Sequence, residues 1–247
     1  LRSNQTAIVA TIKKATKQGV AAGQNVDFEG SIGLHGIYIT DDFNYSAPLI
    51  LNVISDSIGW GAQLSNTPDM WVYQVRNYLL SLGYNVRLRN FSISGSTMIQ
   101  HDNAFKIGRY NYNEPGLTLI CLGTNDANTG SALAAGAITT FTNSVNSIIA
   151  QADYLMPQQP KIFVGPATLG NATNEANLAN LSSIISSAVA TKNSAYYKYC
   201  PRTGFTANAT NLGGDNIHPT AVGHALIAAN VNSYLGSSAN GVLSLLV

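Results

Sequence analysis

The sequence predicts an α/β domain built on a parallel sheet covered by helices on both faces. Two observations carry this. Short apolar, β-branched runs, suited to strands buried on both faces, alternate with segments whose apolar residues recur at helical spacing. The first three of those runs each end abruptly in small polar residues with a glycine close by, where an open parallel sheet receives its ligands. A chain of 247 residues is long enough for one such domain and an appendage.

Residues 1–46 read differently from the rest. A short helix is expected from Ala7 to Ala22, with Lys13, Lys14 and Lys17 on a solvated face, before Gly30, Gly33 and Gly36 punctuate a weakly apolar stretch. This portion is expected to be a connector or small β extension, joined to a main domain at 47–236. The first strand, 49–54, breaks at Ser55, Asp56, Ser57 and Gly59. Thr67 and Pro68 predict an N-cap with proline at the first helical position. Trp71, Val75, Tyr78, Leu79 and Leu82 follow on one helical face, Trp71 in the core, and Gly83 is the stop. Residues 86–93 read as the second strand, with Val86, Leu88 and Phe91 inward, ending in the small-residue turn 94–97. The stretch 98–116 is expected to be a long polar and aromatic loop holding His101, Asp102, Arg109, Tyr110 and Tyr112, and loops of that length are commonly functional.

Residues 117–122 form the third strand, ending in Gly123-Thr124-Asn125-Asp126, and Ile138, Phe141, Val145, Ile148 and Ile149 mark the helix that follows. The fourth strand is 161–164; Leu178, Leu181, Ile185 and Ala188 mark another helix, and 196–200 is the fifth strand candidate. Asp215-Asn216-Ile217-His218-Pro219 leads into a last helix ending near Leu235. In the tail, 237–247, residues 241–247 are a candidate edge strand able to pair with a neighbouring chain.

Composition narrows the partners. The net charge is +1 with no run of like charges, so nucleic acid and anionic membrane are not expected. No stretch of 18 apolar residues offers a membrane span, and the N-terminus lacks the apolar core of a signal peptide. The first residue is Leu, so a processed chain or a piece of a larger protein is expected. Charged residues make up 10%, well below the usual quarter or so, and Asn, Ser and Thr supply the polarity instead. That balance suits an extracellular or virion-associated protein. Cys121 and Cys200 form no disulfide framework, and Cys121 lies in an apolar run where a buried free thiol is expected.

Ser57, Gly95 and Asn125 follow the first three strands and so fall along one sheet edge; the last helix can return Asp215 and His218 to it. Acyl transfer needs a hydroxyl beside a base, an acid that fixes the imidazole tautomer, and donors aimed at the developing oxyanion. Ser57 is the candidate nucleophile, His218 the base and Asp215 the orienting acid. The backbone N–H groups of Ser57 and Gly95 and the Asn125 amide are the candidate oxyanion hole. Each also has a plainer reading. Asp56 and Ser57 would make a turn and cap; Asp215 and His218 would be a cap and a surface histidine; Asp126 would cap the next helix. His224 is expected to be solvated. His101 and Asp102 lack a third ligand at suitable spacing, so no metal is assigned and they are read as surface loop. Trp60, Tyr110 and Tyr112 are loop aromatics suited equally to stacking on sugar rings or to lid packing.

Four ordered stretches, Ser55-Asp56-Ser57-Ile58, Asn90 to Gly95, Gly123-Thr124-Asn125-Asp126 and Asp215 to Pro219, resemble the sequence blocks of the SGNH (GDSL-type) hydrolases. The resemblance covers roughly 48–235. It implies a flavodoxin-like three-layer α/β/α sandwich with a five-stranded parallel sheet, and an acyl-serine mechanism without metal or cofactor. Ser57 matches the nucleophile, Gly95 and Asn125 the oxyanion donors, Asp215 and His218 the acid and base. Ser55 stands where glycine is commoner and Ile58 where leucine is commoner, departures that bear on subfamily. The expected activity is a serine esterase releasing small acyl groups, above all O-acetyl, from a carbohydrate. A lipase, lysophospholipase or thioesterase is the alternative within the family. A non-catalytic glycan-binding or structural module of a surface or tail assembly is the alternative of another class. The termini are the candidate attachments for a homo-oligomer or larger assembly.

Overall fold

The computed structural model describes residues 48–111, 114–157, 159–165 and 169–246. The readings made for 1–46 and for Tyr112 lie outside the described residues. Five strands form one all-parallel sheet: β1 (Leu49–Ser55), β2 (Val86–Asn90), β3 (Gly116–Cys121), β4 (Lys161–Val164) and β5 (Tyr197–Cys200), in the order β2-β1-β3-β4-β5. The chain steps from β1 to one side and returns to the other, so the switch point of the sheet lies between the carboxyl ends of β1 and β3.

Helices connect the strands. They are α1 (Ser57–Trp60), α2 (Trp71–Ser81), α3 (Met98–Lys106), α4 (Thr124–Ala127), α5 (Ala135–Leu155), α6 (Ala172–Lys192) and α7 (Ala221–Gly236). Every residue of β1 and of β3 is buried, because each strand faces a helical layer on both sides. Leu49, Leu51 and Val53 pack with Trp71, Val75 and Leu79 of α2 and Ile227, Val231 and Leu235 of α7. On the opposite face Ile54, Ile120 and Phe163 meet Phe141, Val145 and Ile148 of α5, Leu178 and Leu181 of α6, and Met98 and Phe105 of α3. This is the three-layer sandwich the sequence implies.

Several local expectations change. The stretch 98–116 begins with helix α3, started by a capping box in which Thr97 and Gln100 satisfy each other's backbone N–H groups. Thr67 and Pro68 belong to a separate 3-10 turn, Thr67–Asp69, and α2 starts afresh at Trp71. β2 stops at Asn90, whose side chain bonds locally to Ser92 and reaches the Gly59 carbonyl at 2.9 Å. Residues 238–245 form two 3-10 turns and no edge strand; Val242 is buried against the α2–α7 face, which fixes this segment by packing. His224 is fully buried, its Nδ1 accepting the Trp71 N–H at 3.2 Å, so it is not a solvated helix residue. Both cysteines are buried free thiols. Among the described residues, no helix is long and apolar enough to cross a membrane.

Candidate active site

The site sits at the switch point. β1 ends in Ser55, whose hydroxyl donates to the Cys121 carbonyl at 2.8 Å and so ties the end of β1 to the end of β3. Asp56 then caps α1, accepting the Ile58 N–H at 2.9 Å, and Gly61 in left-handed conformation (φ +77°) closes that single turn. Ser57 is the first residue of the turn and is almost wholly buried. A Cβ on Gly59 would stand 2.3 Å from Ser92 Oγ and 2.4 Å from Ser55 Cβ, so only glycine lets α1 lie against the end of β2. Full burial pushes the Asp56 carboxyl up to about 6, against the pull of the Ile58 N–H, the Thr124 hydroxyl and the nearby His218.

From the far end of the chain, the loop before α7 brings in Asp215 and His218. Oδ1 of Asp215 accepts the backbone N–H groups of Ile217 and His218, each at 3.0 Å, which folds the loop into a tight turn. Oδ2 lies 2.6 Å from His218 Nδ1, and His218 Nε2 lies 2.8 Å from Ser57 Oγ. Partial burial would raise Asp215, but the His218 ring and the two backbone N–H groups outweigh it and hold the carboxyl at about 2. An ionised Asp215 accepts a proton-bearing Nδ1, which leaves Nε2 with a lone pair directed at the serine hydroxyl. Ser57, His218 and Asp215 thus form one hydrogen-bonded chain although they span most of the domain.

The second and third strand ends are joined to each other. Gly95 takes the left-handed conformation (φ +76°) in the turn before α3, and the next residue, Ser96, donates its hydroxyl to Ile93 O at 2.7 Å. Asn125 Nδ2 donates to the Ser96 carbonyl at 2.8 Å, and Asp126 accepts the Met98 N–H at 3.0 Å. Asp126 therefore caps α3, the preceding long helix, and not the one after it. A cavity of about 270 Å³ opens beside this turn, lined in part by Ile93, Gly95, Gln100, His101 and Arg109.

Two loop aromatics separate in fate. Trp60, three residues after Ser57, is 60% exposed. Tyr110 is 0% exposed; its ring stands edge-on to Phe91 and Phe105 and its hydroxyl lies 2.8 Å from His101 Nδ1, so it cannot stack on a substrate. His101 is not on a surface loop either. It is buried, with Nε2 2.8 Å from Ser96 Oγ. Since that hydroxyl gives its proton to Ile93 O, His101 Nε2 donates to Ser96 and Nδ1 accepts from Tyr110. The spacing of Met98, His101 and Phe105 on one helical face was the available signal for this. Asp102 is likewise buried and pairs with Lys106 at 2.6 Å. Gln63, which no motif marks, donates to Asp215 Oδ2 at 2.7 Å. Among the described residues, no group of three His, Cys, Asp or Glu side chains is placed to hold a metal ion.

Comparison with known proteins follows the same lines. Among curated protein sequences no match is found. Among solved structures, the fold is similar to the lipase/acylhydrolase from Enterococcus faecalis, with 17% identity over 76% of this chain and 95% of that one and a TM-score of 0.58. It is similar to the psychrotrophic esterase EstA from Pseudoalteromonas sp., with 16% identity over 77% and 98% of the two chains and a TM-score of 0.58. A family two carbohydrate esterase from Clostridium thermocellum aligns at 16% identity over 77% of this chain and 64% of that one, with a TM-score of 0.58. These likenesses, at low identity, establish a shared fold. Residues 55–226 match the GDSL-like lipase/acylhydrolase family. That match runs from the last residue of β1 into α7, and the chain therefore belongs to the GDSL-type SGNH hydrolases, a family of carboxylic ester hydrolases.

Proposed function

We propose that the chain is a serine esterase that removes O-acetyl or similarly small acyl groups from a carbohydrate through an acyl-serine intermediate. The observation that carries the mechanism is the pair of contacts on one imidazole, Nε2 at 2.8 Å from Ser57 Oγ and Nδ1 at 2.6 Å from Asp215 Oδ2. His218 takes the Ser57 proton as Oγ bonds to the ester carbonyl carbon. The oxyanion is received by the backbone N–H groups of Ser57 and Gly95 and the free hydrogen of the Asn125 amide. His218 then hands the proton to the sugar oxygen as its bond to the acyl carbon breaks, the sugar leaves as a free hydroxyl, and an acyl-serine remains. Water, deprotonated by His218, attacks that ester, and the carboxylic acid leaves as Ser57 recovers its proton.

Support for a carbohydrate comes from the exposed Trp60, three residues after Ser57 on the same helical turn, from the uncharged polar composition, and from the carbohydrate esterase among the proteins of similar fold. The same composition supports an extracellular or virion-associated setting. A longer acyl chain is the second reading. Ile93, 38% exposed, lines the cavity beside Gly95 and offers such a chain an apolar wall. Acetate release from a panel of acetylated polysaccharides, with wild type beside Ser57→Ala, tests the proposal. Release by the wild type alone is expected; equal release by both removes Ser57 from the mechanism. Faster cleavage of long-chain than of acetyl esters would replace the carbohydrate reading with the second one.

A further inference from the structure

We infer that Gln63 is a positioning residue of the acid–base pair, acting through Asp215, an inference that rests on reading Ser57, His218 and Asp215 as the catalytic triad. Its side-chain Nε2 donates to Asp215 Oδ2 at 2.7 Å, on the same oxygen that faces His218 Nδ1. With two backbone N–H groups on Oδ1, the carboxylate then holds four donors, two on each oxygen, which align it with the imidazole.

Two independent features of the backbone accommodate this contact. Gln63 itself adopts φ +70°, the left-handed region that a residue with a Cβ occupies only at a cost. A Cβ on Gly213 would stand 2.5 Å from Gln63 Oε1, so a side chain there would push the Gln63 amide aside. Gly213 in turn donates its N–H to the His218 carbonyl at 2.8 Å. Gln63 also belongs to the nucleophile's own loop: Ala62 donates its N–H to the Ser57 carbonyl at 3.0 Å, one residue before it. The amide therefore links the serine loop directly to the acid loop, without passing through the sheet.

The chemistry of the link follows from its neutrality. An amide donor fixes the carboxylate and withdraws charge density from Oδ2, so the imidazolium formed in the transition state is held by a well-aimed but moderated anion. Without the donor, the carboxylate becomes a stronger anion in a looser position. The protonated imidazole is then favoured in the resting enzyme, and the acid limb of the rate profile moves to higher pH. A carboxylate at position 63 adds a second negative charge and moves the limb further.

The experiment compares wild type, Gln63→Gly, Gln63→Glu and Ser57→Ala for kcat, KM and the pH profile of kcat/KM on an acetyl ester, with thermal melting alongside. Glycine relieves the left-handed backbone, so Gln63→Gly is expected to melt at or above the wild-type temperature. Its kcat is nevertheless expected to fall about tenfold with KM little changed, and its acid limb to rise by about half a pH unit. Gln63→Glu, close in shape, is expected to shift the limb further in the same direction. A purely structural Gln63 would change melting and leave the limb in place. Unmoved limbs in both variants would overturn the inference while Ser57→Ala stays inactive. Activity retained by Ser57→Ala would instead overturn the triad reading beneath it.

Discussion

Asn125 and Ser96 are joined by a 2.8 Å hydrogen bond in which the side-chain amide of one donates to the backbone carbonyl of the other. One amide hydrogen is committed to the scaffold, so the amide plane is fixed and its second hydrogen has a set direction. The same bond anchors the residue after Gly95. The second and third strand ends are thus one rigid unit, completed by Asp126 on the N-terminus of α3.

Asn125→Ala removes a donor and releases the Ser96 carbonyl together. Loss of a single oxyanion donor costs about 10²–10³ in kcat. Steady-state kinetics on an acetyl ester are expected to show a loss of at least that order with little change in KM. A drop confined to KM would place Asn125 in ground-state binding instead.

Asp215→Asn keeps the shape of the acid and the bonds from Ile217 and His218 to Oδ1, but removes the charge that selects the imidazole tautomer. An amide nitrogen facing Nδ1 would place the imidazole proton on Nε2, pointing at Ser57. A fall of about 10⁴ in kcat is expected. Melting should change far less, and a variant retaining a tenth of the activity would separate Asp215 from catalysis.

Much of this architecture is local information. Strands buried on both faces announce themselves as short apolar runs, and β1, β3, β4 and β5 lie within about a residue of where the sequence puts them. Helix α3 was hidden because its inward face mixes Met98 and Phe105 with His101 and Asp102, so polar residues break the apolar period. Tyr110 looked like a loop aromatic for the same reason: its place in the core depends on a histidine that is itself buried. Gln63 could not be read at all. Its partner lies 152 positions away, and its signature is a backbone angle. Val242 shows the converse: an apolar stretch that reads as an edge strand folds as turns, because the Val242 side chain is buried against α2 and α7.

Asp56→Asn is expected to stabilise the protein at alkaline pH. The carboxyl is raised to about 6 in the folded state against an ordinary 3.8, so its ionisation is penalised by folding as pH rises through that interval. Asparagine keeps the cap on Ile58 and removes the buried charge. The gain is on the order of 3 kcal/mol at pH 8 at most and shrinks as pH falls towards 4. Because the Asp56 carboxylate also stabilises a positive His218, the acid limb of kcat/KM should move to lower pH, opposite to the Gln63 variants. Denaturant melts at pH 8 and 4.5 and a rate profile check both halves.

The stability of the whole fold should decline as pH falls from about 6.5 to about 4. His101 is lowered to about 4 by burial and then by the positive charge of Arg109. His224 is lowered to about 4 by burial and then by His218, with Asp69 acting the other way. Both bind protons in the unfolded chain near 6.5, so in this interval the unfolded state holds more protons and stability is lost; below about 4 the loss is complete. Each histidine accounts for a loss on the order of 3 kcal/mol. Asp56, which takes up its proton in the folded state first, returns a similar amount between about 6 and 3.8. Asp126, also raised by burial, acts in the same sense as Asp56 but with a smaller shift, so the losses from the two histidines outweigh these gains and leave a net loss. Urea melts at pH 7.5, 5.5 and 4 should show it, and His101→Gln should flatten the slope by roughly the contribution of one histidine. A wild-type stability that holds constant from 7.5 to 4 would mean that neither ring stays neutral in the folded core.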